Sequence, residues 1–129
     1  MMHRLLVTFD VEELDWGRPR ADAAGWSPTE PSARGLEAVL PVLAERAAPA
    51  TFFCTGRFAQ ERPELVRRLR VEGHEVASHG LDHRDDYRRL DLDTAASRLT
   101  ASRHLLEDLT GASVRGVRTQ ASLSACLTH

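Results

Sequence analysis

The chain contains no lysine: each of the 17 basic side chains in its 129 residues is an arginine. Schiff-base catalysis and P-loop phosphate binding, which both need a lysine amine, are excluded with it. Cysteine is almost as scarce. Cys54 and Cys126 make neither a disulfide framework nor a Cys-x-x-Cys metal knuckle, and a reducing compartment is the default expectation. Long apolar runs are missing too, and nothing approaches the ~20 residues that a bilayer-spanning helix needs. The opening Met1-Met2-His3-Arg4 is followed by only a few apolar residues before Asp10, too few for an export core, so the expected location is cytoplasmic. There is no excess of charge of one sign either. A net charge of -2 gives no electrostatic case for nucleic acid, and 42% hydrophobic with 28% charged residues is the composition of an ordinary soluble protein. The length allows one domain or a piece of one, since closed α/β barrels run to about 250 residues.

What is present is an alternation of strand and helix signals. Leu5 to Phe9 is a continuous apolar run ended by acid, the pattern of a buried parallel strand. Asp10, Val11 and Glu12 continue it in extended form, so Asp10 and Glu12 share one side and Val11 takes the other. Glu13 to Pro31 reads as a long irregular loop, with Trp16-Gly17-Arg18-Pro19 and Gly25-Trp26-Ser27-Pro28. Trp16 and Trp26 either offer flat faces to a sugar ring or cover apolar surface beside the sheet. Leu36, Val39, Leu40 and Leu43 predict an amphipathic helix over 32–47, N-capped by Ser32 and kinked or divided at Pro41. Ala50 to Cys54 is a second strand ended at Gly56, with Cys54 a small buried side chain. A helix follows from Pro63 to its C-cap at Gly73, then a third strand at Glu75 to Ala77. Asp91 or Asp93 caps a long helix ending at Gly111, and Val114 to Val117 is a fourth strand. The predicted order is β-α-β-α-β-α-β, an α/β fold of parallel βαβ units.

In such folds the chemistry gathers at the carboxyl ends of the strands. Asp10, Glu12, His79, His83 and Arg118 all fall at or just after those ends. His79 and His83 are four apart, an interval at which two imidazoles can share a divalent cation. One carboxylate and two neutral imidazoles make a three-ligand site with open positions, which suits catalytic zinc. A second carboxylate beside the bound water can act as general base, with an arginine orienting it, and the chemistry suggested is amide or ester hydrolysis. The plainer alternative is that Asp10 and Glu12 are solvated loop-start residues and Arg118 one more surface arginine. His74 reads as a strand-start or supporting residue, and His3, His104 and His129 carry no signal.

Three separated segments share a resemblance. Leu6-Val7-Thr8-Phe9-Asp10-Val11-Glu12-Glu13, Ala50-Thr51-Phe52-Phe53-Cys54-Thr55-Gly56 and Gly73-His74-Glu75-Val76-Ala77-Ser78-His79-Gly80-Leu81-Asp82-His83 resemble the polysaccharide deacetylase family, also called the NodB-homology family or family 4 carbohydrate esterases. The resemblance covers about Arg4 to Arg118. It implies the N-terminal part of a distorted (β/α) barrel and metal-dependent removal of N-acetyl or O-acetyl groups from a polymeric or lipid-linked sugar, with zinc as the expected metal. Carried over by position, Asp10 matches the catalytic base and His79 and His83 the metal-binding histidines. Many members have Asp directly after the base. Here Val11 stands there, and Glu12 resembles a variant in which the carboxylate two residues on binds the metal. Arg118 resembles the arginine that sets the state of the base.

After Arg118 the resemblance lapses. Residues 1–118 are expected to form a partial deacetylase domain and 119–129 a divergent tail that lacks the family's usual proline. Roughly half of a full barrel is then missing, along with the later histidine that serves as general acid. Truncation or a frameshift near Thr119, with weak or no activity, is the expectation. Exposed strand edges would favour self-association. Two further readings stay open: a glycan-binding remnant without turnover, and a related hydrolase of cyclic amides.

Overall fold

The computed structural model describes residues 2–14 and 27–120. Three parallel strands form one sheet in the order β1-β2-β3: β1 is Thr8–Val11, β2 Thr51–Cys54 and β3 Glu75–Ser78. The registers Asp10↔Phe53 and Phe53↔Ala77 align the strands so that their carboxyl ends finish together. Helix α1 (Glu30–Glu45) joins β1 to β2, α2 (Gly56–Glu61) and α3 (Pro63–Val71) join β2 to β3, and α4 (Leu92–Thr110) follows β3.

The core lies between the helices and one face of the sheet. In β2 the side chains alternate, with Phe52 and Cys54 fully buried toward the helices and Thr51 and Phe53 on the other face. Phe9 stacks on Phe52 at 5.1 Å. Leu36, Leu40 and Leu43 of α1, Leu65, Val66 and Leu69 of α3 and Leu106 of α4 close over this face at helical spacing. Cys54 is a buried free thiol whose pKa burial drives far upward, so it is a packing residue, as its place in an apolar strand suggests.

Several element boundaries differ from the sequence expectation. Strand β1 begins at Thr8, and Leu5 and Leu6 are exposed. The ladder on β2 ends at the bond from Thr51 N–H to the Val7 carbonyl, because Pro49 has no N–H with which to extend it. Helix α1 starts at Glu30 with Thr29 as N-cap, and Ser32 lies in its first turn, where its hydroxyl donates to the Glu12 carbonyl at 2.6 Å. Pro41 does not divide α1. The buried leucines on both sides of it hold the helix to the sheet. Helix α2 was unforeseen; the Thr55 hydroxyl caps it by accepting from Phe58 N–H at 3.1 Å.

The fourth strand is reduced to one parallel bridge, Ser78↔Val117. Gly111 ends α4 in the left-handed region at φ 68, and Val114 N–H donates to the Glu107 carboxylate of that helix at 3.0 Å. Among the described residues the chain therefore reaches the outer edge of β3 only at residues 116–118. There Ser78 N–H donates to the Gly116 carbonyl and Arg118 N–H to the Ser78 carbonyl, both at 2.9 Å.

Candidate functional site

The sheet delivers its polar residues to one end. Beyond Val11 the ladder continues one step past each strand: Thr55 N–H donates to the Val11 carbonyl at 3.0 Å and His79 N–H to the Cys54 carbonyl at 2.8 Å. Glu12, Thr55 and His79 thus stand side by side at the carboxyl edge. Glu12 is half-buried, and Ser32 grips its backbone twice, donating to its carbonyl and accepting from its N–H at 3.3 Å.

His79 and His83 converge on the Glu12 carboxylate. His79 Nε2 lies 2.8 Å and His83 Nε2 3.0 Å from the same oxygen, Glu12 Oε2. His79 Nδ1 meets the Arg118 carbonyl at 2.6 Å. A carbonyl can only accept, so Nδ1 carries a proton; without metal Nε2 donates to the Glu12 carboxylate as well, and in the neutral ring that Nε2 lone pair becomes available to a cation. The turn between the histidines begins at Gly80, with φ 85. A buried network holds that turn: Ser78 and Ser102 hydroxyls meet at 2.9 Å, Ser102 donates to the Gly80 carbonyl at 2.9 Å, and Gly80 N–H donates to Ser78 at 3.1 Å.

Asp10 and Arg118 meet on the open face of the sheet, Arg118 Nη1 lying 3.1 Å from Asp10 Oδ1. The guanidinium also lies 4.0 Å from the centre of the Phe53 ring, the register neighbour of Asp10. Alternation along β1 places Asp10 and Glu12 on the same side, as the sequence predicts.

The donor set suits a divalent cation. One ligand atom each from Glu12, His79 and His83 lies within 4.8 Å of the others. Tetrahedral zinc bonds of about 2.0–2.1 Å would set neighbouring ligand atoms about 3.3 Å apart, so a cation would spread the two contacts to Glu12 by about a few tenths of an ångström. The charges agree with this grouping. Burial works against ionisation of Glu12, but His79 and His83 outweigh it and lower its pKa. Burial likewise disfavours a charged His79, while Glu12, Asp10 and the Arg118 carbonyl together raise its pKa.

A family model described as Polysaccharide deacetylase matches residues 6–123. The chain belongs to the polysaccharide deacetylase family. It is 44% identical over 80 residues to a chitooligosaccharide deacetylase of Sinorhizobium fredii, an alignment covering 62% of this chain and 37% of that protein. It is 40% identical over 47 residues to the peptidoglycan-N-acetylmuramic acid deacetylase PdaA of Bacillus subtilis, covering 36% of this chain and 18% of that one. A solved family 4 carbohydrate esterase from Bacillus anthracis superposes with a TM-score of 0.68 at 26% identity, over 88% of this chain and 46% of its own. The chain therefore spans well under half the length of the curated relatives it matches. Its parallel strands and helices are those of a polysaccharide deacetylase barrel.

Within this family frame the structure brings together Asp10 with Arg118, and Glu12 with His79 and His83. Trp16 and Trp26 lie outside the described residues. His74 is at the opposite end of the sheet, buried, accepting from Ala50 N–H at its Nδ1 at 3.1 Å. Two residues at the site have no site role in the sequence reading: Ser32, expected as a helix cap, and Glu13, expected as the start of a loop. The Glu13 side chain is fully buried; its carboxylate accepts from the Thr55 hydroxyl at 2.6 Å and from His83 N–H at 2.7 Å. The signal was the same alternation that paired Asp10 with Glu12. It puts Glu13 on the buried side with Val11, where an acid needs partners.

Proposed function

We propose that this chain carries the metal-holding and base-holding part of a deacetylase site that hydrolyses N-acetyl or O-acetyl groups on a carbohydrate. The convergence of two imidazole nitrogens and one carboxylate oxygen, beside the Asp10–Arg118 pair, carries this reading. Glu12, His79 and His83 would hold a divalent ion, with zinc the best fit to two nitrogens and one oxygen and positions left for water and substrate. Such an ion supplies acidity to a water molecule and polarises a carbonyl. Asp10 takes the proton of the attacking water. Arg118, 3.1 Å from Oδ1, holds the carboxylate in place for that role. The relatives' names, chitooligosaccharide deacetylase and peptidoglycan deacetylase, point to an acetylated amino sugar as substrate.

The test is zinc stoichiometry together with acetate release from N-acetylated oligosaccharides. One zinc per chain is expected, lost in His79→Ala, while Asp10→Asn retains the metal and loses acetate release. A parent chain that takes up no stoichiometric zinc at neutral pH refutes the metal site. Bound zinc, glycan binding that survives Asp10→Asn, and no acetate would mark a binding protein instead, and ring opening of a cyclic amide would change the substrate class.

A further inference from the structure

Among the described residues Glu13 is the only fully buried carboxylate, and no step of the proposed hydrolysis uses it. A buried carboxylate persists where its oxygens are well bonded. Here each oxygen has one short contact: Oε2 accepts from Thr55, the residue that caps α2, and Oε1 accepts from the backbone N–H of His83. His83 lies between β3 and α4 in a segment without helix or strand, so no ladder fixes its backbone. Glu12 meets its ring at 3.0 Å, and Glu13 holds its main chain at 2.7 Å. Two neighbouring residues, directed to opposite faces of the same strand end, thus hold His83 by side chain and backbone.

We infer that Glu13 is a positioning residue for the metal-holding set: its carboxylate fixes the backbone of His83, and through it where the ring nitrogen points. This rests on the metal reading above. Glu13 is directed away from the cluster and is not itself a ligand. Partners that orient a ligand are worth about tenfold to a hundredfold in metal affinity.

The experiment uses the full 129-residue chain with Co2+ as a spectroscopic probe, and amide hydrogen exchange at His83 in the absence of metal. Glu13→Ala should weaken Co2+ binding by about tenfold or more, alter the visible cobalt spectrum and release the His83 amide to fast exchange. Glu13→Gln can turn its amide oxygen to His83 N–H and its NH2 to the Thr55 hydroxyl, so it should keep the parent spectrum, bind within about threefold and protect the amide. Parent-like binding by Glu13→Ala overturns the proposal. So does a Glu13→Gln chain as weak as Glu13→Ala, which would show that charge matters and the hydrogen bond does not. If Glu13→Ala does not fold, Glu13→Asp takes its place: it keeps the charge, is one methylene too short to span both partners, and must also weaken binding. If the parent takes up no Co2+, the metal reading fails, and the His83 amide alone decides whether Glu13 fixes this backbone.

Discussion

The two ring nitrogens of His79 have separate tasks. Nδ1 donates to the Arg118 carbonyl and Nε2 faces Glu12. Without metal, the Glu12 and His79 shifts act in opposite pH directions. Glu12, lowered from 4.5, contributes stability above that value and loses it as pH falls through its depressed pKa; His79, raised from 6.5, contributes below that value and loses it as pH rises through its elevated pKa. A chelator-treated chain should therefore melt highest in the mildly acidic window between them, as a series of melts at different pH values will show. Metal requires a neutral imidazole, so zinc affinity should climb with pH until His79 has titrated, then level off. Arg118 separates side-chain from main-chain duties. Arg118→Met removes the partner of Asp10 but keeps the carbonyl that orients His79. Acetate release should fall about a hundredfold or more while zinc affinity, measured by competition titration, stays within about threefold; a parallel loss of zinc would contradict this division.

At the scale of elements, the turn between the histidines depends on a glycine. A Cβ on Gly80 would lie 2.7 Å from the Tyr87 hydroxyl oxygen, at a backbone φ of 85. Gly111 also has positive φ, but a Cβ there meets nothing within 4 Å. Gly80→Ala should cost about 1–3 kcal/mol in urea unfolding and weaken zinc binding, whereas Gly111→Ala should cost about 1 kcal/mol and leave zinc alone. Such contrasts depend on tertiary neighbours, and so did the parts of the fold that the sequence did not reveal. Strand β2 and helix α3 were legible because local chemistry decides them, an apolar run and Pro63 in the first turn, and of the two acids offered as the cap of α4 it is Asp91 that accepts from Thr94 N–H, at 2.8 Å. Leu5 and Leu6 looked like strand because an apolar run does not reveal whether a neighbour will pair with it. Ser32 looked like a cap, yet its hydroxyl is taken by Glu12 from 20 residues away. Asp10, Glu12, His79, His83 and Arg118 were legible as a set because parallel strands bring their carboxyl ends together. Glu13 was overlooked because its partners, Thr55 and His83, meet only in three dimensions.

At the scale of the whole molecule, the described residues leave the sheet incompletely covered. Among the described residues β1 pairs only with β2, and the far side of β3 meets one bridge. Leu5 and Leu6 at 87% exposure flank the first edge; a groove of about 270 Å³ between α4 and residues 114–117, lined in part by Leu99, Val114 and the exposed Val117, adjoins the second. Such edges favour association. Sedimentation velocity of the 129-residue chain should show an average coefficient that rises with concentration, and a sharp monomer boundary independent of concentration would refute this. No helix among the described residues is long and apolar enough to cross a membrane.

The single bridge at Val117 also orders events in time. Asp10 and Glu12 leave the ribosome early and His79 much later, and the core over the three-stranded sheet is complete once Leu106 of α4 has followed β3. Arg118, which pairs with Asp10 and directs the proton on His79, is carried in by the segment that makes that bridge. A nascent chain paused short of it would hold the sheet and both histidines, with Asp10 unpaired and the His79 ring free to present either nitrogen. The site would mature last, in a step separate from formation of the sheet.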